Sequence, residues 1–228
     1  MLSNPRPREF SRGAWRVTSG GRELLKWLAL AAMVADHVNR VLLASAVPTL
    51  SYIGRVAFPI FGLVLAYNVS HAGAARRALP KLLAAGVMAQ PFTMCVRDAF
   101  QLNVMFTLAL GLWLATPSLM RDRRLEQAIG VLVAICAGVW CEFAWFGIAY
   151  VFTCARWCEH RTEGWAVLWS LSLAALVFVN GNFWALAALV PLVLASWWTR
   201  AVPRGRWFFY VFYPAHFAVL ALWVRIST

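Results

Sequence analysis

The apolar positions of this chain are gathered into long stretches that short polar connections separate. Stretches close to the ~20 residues that cross a hydrocarbon layer predict membrane-spanning helices, not the alternating strands of a soluble sheet. The predicted stretches are residues 24–44, 50–70, 79–95, 103–119, 126–142, 144–158, 165–179, 183–198 and 207–226. This pattern indicates about nine spans, or eight if the two stretches between 126 and 158 form one span and a re-entrant piece.

The composition supports the same class of protein. Of the 228 residues, 62% are hydrophobic and 13% are charged, and the mean hydropathy is +0.67. A soluble domain is usually about half apolar and about a quarter charged, so much of this surface needs lipid as its solvent. We therefore predict an all-α, polytopic integral membrane protein in which residues 24–228 form a single transmembrane helical domain.

The net charge of +12 is explained by the placement of the basic residues. They fall mainly at the N-terminus and near residues 76–81, 121–124, 156–161 and 200–206, which are alternate connections between the predicted spans. Such alternation is typical of cytoplasmic loops, so the N-terminus is predicted to be cytoplasmic. The basic segment 1–23 is predicted to lie against anionic lipid of the bilayer, and no nucleic-acid partner is predicted.

Four polar residues interrupt the first apolar stretch, which reads AAMVADHVNRVLL at residues 31–43. They are Asp36, His37, Asn39 and Arg40, and the second stretch adds Arg55. A charged side chain near the bilayer centre costs ~2.5–3.5 kcal/mol, whereas an interhelical hydrogen bond returns only about 0.6 kcal/mol. This imbalance favours a functional site over helix packing.

Further polar residues project toward the same half of the predicted bundle. They are Gln90, Asn103 and Glu142, followed by Tyr213 and His216 in the last stretch. Imidazole titrates near neutral pH, so His37 and His216 are candidate general bases. We expect one polar pocket between mid-membrane and the outer face, although helix packing alone also explains Gln90 and Asn103.

The cysteines give no sign of a metal centre or a disulfide framework. The five cysteines form no CxxC pair, and Cys154 and Cys158 lie one helical turn apart near His160. This spacing is also what small, polarizable side chains adopt in helix packing, which is the interpretation we favour. We predict no metal site.

Three motifs give the chain a family resemblance. LKWLALAAMVADHVNR, YIGRVAFPIFGLVLAYNVS and the late FYPAH resemble the TraX family of conjugation proteins, which includes the F-pilin acetylase, and the size of the chain resembles its TrbP-type plasmid homologues. The resemblance implies a multi-pass enzyme of the bacterial inner membrane that acetylates the N-terminal amine of pilin, with acetyl-coenzyme A as donor. Head-to-tail cyclisation of pilin and non-catalytic pilin binding are the alternatives.

With that activity in mind, we assign hypothetical roles to the polar residues. His37 takes the proton of the amine, and Arg40 or Arg55 stabilises the developing oxyanion. Asp36 holds the arginines, while Tyr213 and His216 line the opposite wall. The candidate substrate-binding residues are Asn39, Gln90, Asn103 and Glu142. The basic residues that could receive the phosphates of the coenzyme, although topology explains them equally well, are Arg76, Arg77, Lys81, Arg124 and Arg204.

Overall fold

Helices account for most of the chain in the computed structural model, which describes residues 17–70, 74–97, 99–116, 123–205 and 207–227. The helices are α1 Ser19–Val41, α2 Pro48–Gly54, α3 Ala57–Val69, α4 Ala74–Val96, α5 Val104–Ala115, α6 Arg123–Gly138, α7 Ala144–His160, α8 Glu163–Ala175, α9 Val177–Asn180, α10 Leu189–Ser196 and α11 Phe208–Ser227. A 3₁₀ helix at Trp184–Ala188 leads into α10. The predicted all-α class is confirmed.

The number of long apolar helices differs from the nine predicted spans. Within the described ranges, four helical segments are long and apolar enough to cross a membrane: Pro48–Val69, α4, Glu163–Asn180 and α11. Helices α6 and α7 have only 16 and 17 residues. Helix α1 has 23 residues but carries Lys26, Asp36 and Arg40, so it is less apolar than its length suggests.

Helix α1 begins five residues before the predicted boundary at residue 24. Thr18 is its N-cap, and its side-chain oxygen accepts a hydrogen bond from the backbone N–H of Gly21 at 2.9 Å. Such a cap satisfies one of the free N–H groups at a helix start. The predicted interfacial segment 1–23 is therefore partly helical, and its residues 1–16 lie outside the described residues.

A proline accounts for the break between α2 and α3. Pro59 lies in the first turn of α3, where it cannot donate to the carbonyl of Arg55 and its ring crowds that group. The helical path therefore restarts at Arg55 and Val56. The preceding Gly54 lies against Asp36 of α1, because a Cβ at Gly54 would come within 2.7 Å of the Asp36 Cγ. This break brings Arg55 beside the polar residues of α1.

The helices pack as a ring. Helix α1 packs on α3, α3 on α7, α7 on α5, α5 on α4, α4 on α11, and α11 returns to α1. The contact between α4 and α11 is extensive, whereas α11 touches α1 at few positions. Fully buried Tyr150 anchors the middle of the ring, where its hydroxyl donates to the backbone carbonyl of Pro59 at 2.7 Å. A cavity remains on the inner side of α1, α3, α4, α5 and α11.

Candidate functional site

The cavity has a volume of about 680 Å³ and polar residues at two separate ends. One end, called here the basic end, contains Arg22, Lys26, Arg77, Lys81 and Arg204. The other end, called here the polar end, contains Asp36, His37, Arg40, Arg55, Glu142 and Tyr213. Apolar side chains of α3 and α5 line the space between the two ends.

Asp36 and Arg40 form an ion pair along α1. Arg40 Nε lies 3.1 Å from Asp36 Oδ2, as expected for residues four apart on a helix. The second oxygen, Oδ1, is buried and has no hydrogen-bond partner in the described part of the chain. The Arg40 side chain is 42% exposed, so it holds Asp36 from the outer side of the site. This pairing agrees with the role expected for Asp36.

The two histidines meet across the seam between the first and last helices. His37 Nδ1 lies 3.0 Å from His216 Nε2, and His216 Nδ1 lies 3.1 Å from the backbone carbonyl of Phe212. A carbonyl can only accept, so His216 carries its proton on Nδ1 and its Nε2 accepts the Nδ1–H of neutral His37. This chain of hydrogen bonds leaves Nε2 of His37 as the unprotonated nitrogen.

The proton positions leave His37 able to accept a proton on Nε2. Within the described chain, His37 Nε2 has no hydrogen-bond partner. His37 and Tyr213 line the cavity, whereas His216, which was expected to line the opposite wall with Tyr213, lies behind His37 and does not. The ring of His216 is held between Phe212 and Phe217, at centroid distances of 5.3 and 4.3 Å. A base whose orientation is fixed by a second group is the usual arrangement for proton transfer.

Arg55 is the cation of the polar end that lacks a carboxylate partner. Among the described residues, no Asp or Glu oxygen lies within 4.0 Å of its guanidinium, and its buried Nε has no hydrogen-bond partner. The sequence left Arg40 and Arg55 as equal candidates for binding an oxyanion. The pairing of Arg40 with Asp36 leaves Arg55 better suited to that task.

Glu142 enters the polar end through a short backbone pairing. The backbone N–H of Leu102 donates to Trp140 at 2.7 Å, and the N–H of Glu142 donates to Leu102 at 2.9 Å. Glu142 Oε1 then pairs with Arg97 Nη2 at 2.6 Å. Burial lowers the pKa of Arg97, but the adjacent carboxylate outweighs it and raises that pKa above its ordinary value.

The sequence analysis did not include Arg97 among the candidate site residues. The residue holds Glu142 and also donates to the side chain of Gln101, so it fixes the geometry of this wall. The signal available in the sequence was an arginine in a connection otherwise poor in basic residues. No spacing rule links it to Glu142, which lies 45 positions later in the chain.

Asn39, predicted to bind substrate, has a structural position instead. It is fully buried, and its side-chain amide donates to Ser51 Oγ at 3.0 Å and accepts from the backbone N–H of Val47 at 3.0 Å. These bonds tie the end of α1 to the start of α2. Asn39 does not line the cavity.

Gln90 and Asn103 also lie outside the cavity. Asn103 is the N-cap of α5 and accepts from the N–H of Met105 at 3.1 Å. Its amide donates to the Gly86 carbonyl at 2.8 Å and to Gln90 Oε1 at 2.9 Å. These two side chains hold α4 and α5 together, so the geometry favours the packing interpretation over substrate binding.

The basic end is backed by aromatic rings. Lys81 lies over the ring of Trp207 at 4.4 Å, and Lys26 lies over the ring of Phe209 at 5.1 Å. Of the residues predicted to bind the coenzyme, Arg77, Lys81 and Arg204 line the cavity, whereas Arg76 and Arg124 do not. Arg22 and Lys26 also lie in the cavity wall, although they were not among the residues predicted to bind the coenzyme. Among the described residues, no group of three or more His, Cys, Asp or Glu could hold a metal.

The helical fold, the apolar outer faces and the polar cavity define a helical membrane protein with a buried polar site. The chain belongs to the TraX family, since the family model described as TraX protein matches residues 21–224. This confirms the family resemblance.

Two curated proteins are similar to the chain over most of their lengths. One is Protein TraX of Escherichia coli, 30% identical over 219 residues, which cover 89% of this chain and 87% of the relative. The other is the probable fimbrial assembly protein FimC, serogroup H1, of Dichelobacter nodosus, 25% identical over 228 residues, which cover 86% and 92%. No solved structure matches the chain.

Proposed function

We propose that this protein is an inner-membrane acyltransferase of conjugative transfer, which moves an acetyl group from acetyl-coenzyme A to the N-terminal amine of a pilin subunit. The observation that carries the proposal is the cavity itself, because it joins a cluster of cations to His37, whose ring is hydrogen-bonded to His216. The names of the two curated relatives, one of which is a probable fimbrial assembly protein, support a pilus-related substrate.

The donor enters from the basic end. Phosphate groups favour clustered Lys and Arg, and the rings of Trp207 and Phe209 offer faces on which a base can stack. Lys26 and His37 are eleven residues apart on α1, which is about 16 Å along the helix. An extended pantetheine arm covers such a distance and brings the thioester to the polar end. With the N-terminus cytoplasmic, as the charge pattern predicts, the basic end faces the compartment that holds the coenzyme.

The acceptor amine reacts at the polar end. Its nitrogen attacks the thioester carbonyl, and His37 Nε2 takes the proton that the nitrogen releases. The new C–N bond forms as the C–S bond breaks, and the thiolate of coenzyme A leaves and takes up the proton from His37. His216 positions His37 through the Nδ1–Nε2 hydrogen bond and stabilises its charged form.

Arg55 stabilises the negative charge that develops on the carbonyl oxygen. Removal of one such donor lowers the turnover number by about 10²–10³-fold in enzymes where it has been measured. Asp36 and Arg40 pair on α1, and Asp36 lies against Gly54, next to Arg55, so α1 and the start of α3 are held together where His37 and Arg55 line the cavity. Each of these side chains therefore has a defined task in acyl transfer.

The test compares pilin produced with and without this protein by intact-mass analysis. The wild-type protein should add the mass of one acetyl group, and His37→Gln should abolish the addition. His160→Gln is the matched control, because His160 lies at the exposed end of α7 and does not line the cavity. Insertion of each variant is checked by fluorescence of a fused reporter.

Other mass outcomes separate the remaining functions. Loss of one water from pilin would mean head-to-tail cyclisation, and no change in mass would mean a pilin-binding assembly factor without catalysis. Full acetylation by the His37→Gln variant would contradict the assigned base.

A further inference from the structure

Two carboxylates in the cavity are each paired through one oxygen only. Asp36 binds Arg40 through Oδ2, and its Oδ1 is buried without a hydrogen-bond partner in the described chain. Glu142 binds Arg97 through Oε1, and its Oε2 is also buried and has no hydrogen-bond partner among the described residues. The end of α1 and the segment before α7 therefore contribute half-paired carboxylates to the wall of the same cavity.

A third buried polar group belongs to the last helix. Tyr213 is only 2% exposed and lines the cavity. The backbone N–H of Val104 lies near its hydroxyl oxygen, but no described group accepts the hydroxyl proton. A buried polar group without a partner costs about 1–3 kcal/mol. Three such groups in the wall of one cavity indicate a ligand that supplies the missing bonds. Ionised carboxylates only accept, so that ligand must donate hydrogen bonds.

We infer that Asp36, Glu142 and Tyr213 form a subsite for a primary amino group. Such a group carries two or three N–H donors on one atom, so a single small group can donate to more than one acceptor. A hydroxyl offers one donor, and a carboxylate offers none. The role of the subsite in binding the amine that is acetylated rests on the proposed function. Its binding of an amine can be measured without acetyl-coenzyme A.

The charges around the subsite set the protonation state of the bound amine. Arg40 and Arg97 each neutralise one carboxylate, and Arg55 adds a third cation that has no carboxylate within 4.0 Å in the described chain. The two carboxylates favour an ammonium ion, whereas the three arginines favour the neutral amine, which is the form whose lone pair can attack.

The binding test uses purified protein in lipid nanodiscs with no coenzyme present. Alanine amide is the probe, and N-acetylalanine amide is the control that lacks the amino group. Thermal unfolding is followed by tryptophan fluorescence, because a ligand that binds the folded state raises the unfolding midpoint. We expect a saturable rise with alanine amide and none with the acetylated control. Equal shifts with both probes, or no shift with either, would overturn the subsite.

Two variants assign the binding to the named acceptors. Glu142→Gln keeps an oxygen for Arg97 but replaces Oε2 with an NH₂ group, and Tyr213→Phe keeps the ring without the hydroxyl. Each should raise the half-saturating concentration of alanine amide about tenfold or more, which corresponds to the loss of one hydrogen bond of ~1.4 kcal/mol. Glu163→Gln is the control, because this carboxylate is exposed at the start of α8. Unchanged binding in both test variants would refute the assignment.

The failure of the subsite and the failure of the proposed function give different results. If alanine amide binds as expected but pilin gains no acetyl group, the acyltransferase proposal fails and the amine subsite stands. If pilin is acetylated while Glu142→Gln and Tyr213→Phe bind alanine amide as the wild type does, the subsite alone fails.

Discussion

Gly54→Ala should disrupt the polar end although Gly54 carries no functional group. The added Cβ would lie 2.7 Å from the Cγ of Asp36, whereas carbon atoms in contact normally lie ~3.5–4.0 Å apart. It would also crowd the Asp36 Cβ, which cannot rotate away because it is attached directly to the backbone of α1. Helices α1 and α2 must therefore separate by about 1 Å.

This separation has a cost in stability and a larger one in activity. Overpacking of this kind costs typically 1–3 kcal/mol, and a displacement of about 1 Å at a reacting centre can lower the rate ~10²-fold. The backbone of Gly54 is helical, so alanine introduces no strain of its own at this position. The expected result is a lower unfolding midpoint together with acetyl transfer reduced to about one per cent of the wild-type rate.

The assay measures acetyl transfer to pilin by intact mass over time, beside thermal unfolding in the same nanodiscs. Gly164→Ala is the matched control, because a Cβ at Gly164 meets nothing within 4 Å. An alanine there should leave activity unchanged and slightly stabilise α8. If Gly54→Ala unfolds at the wild-type temperature and transfers acetyl groups at the wild-type rate, the close approach of Gly54 to Asp36 does not position the site.

Three further substitutions test other parts of the fold and the cavity. Gly21→Ala should lower stability by about 1–3 kcal/mol, because the new Cβ would overlap the carbonyl oxygen of Ala195. A thermal unfolding scan that matches the wild type would contradict this contact. Asn103→Ala should cost about 0.5–2 kcal/mol through the lost N-cap alone, measured in the same scan, and an unchanged midpoint would remove its assigned role. Lys81→Gln should raise the KM for acetyl-coenzyme A with little change in kcat, whereas the control Arg225→Gln, at an exposed position, should change neither. A KM of the Lys81→Gln variant equal to that of the wild type would exclude Lys81 from binding acetyl-coenzyme A.

Local rules explain which parts of the site were predictable from the sequence. The pairing of Asp36 with Arg40 follows from their spacing of four on one helix. The high cost of these charges in lipid singled out the cluster as a candidate site, and the cavity they line is consistent with that prediction. The helical nature of the apolar stretches follows from their length and composition. The family follows from the first two motifs, which both fall within the matched residues 21–224.

Tertiary contacts explain the parts that were not predictable. Asn39 and Asn103 are polar residues in apolar stretches, so the sequence alone does not distinguish them from residues that bind a ligand. In the structure their side-chain amides are hydrogen-bonded to backbone groups of Val47 and Gly86, respectively. Arg97 and Glu142 meet where the connection between α4 and α5 pairs with the connection between α6 and α7, through a parallel bridge of Leu102 and Cys141. The number of long apolar helices was overestimated because hydropathy does not reveal where a helix ends.

The contact between His37 and His216 joins helices from the two ends of the chain. During synthesis, the first imidazole leaves the ribosome long before the second, and 178 residues separate them in the sequence. A nascent or C-terminally truncated chain therefore lacks the hydrogen bond from His37 to His216, even if its earlier helices have inserted correctly. Under the proposed function, the catalytic base therefore gains its positioning partner only after the last helix has been synthesised and inserted.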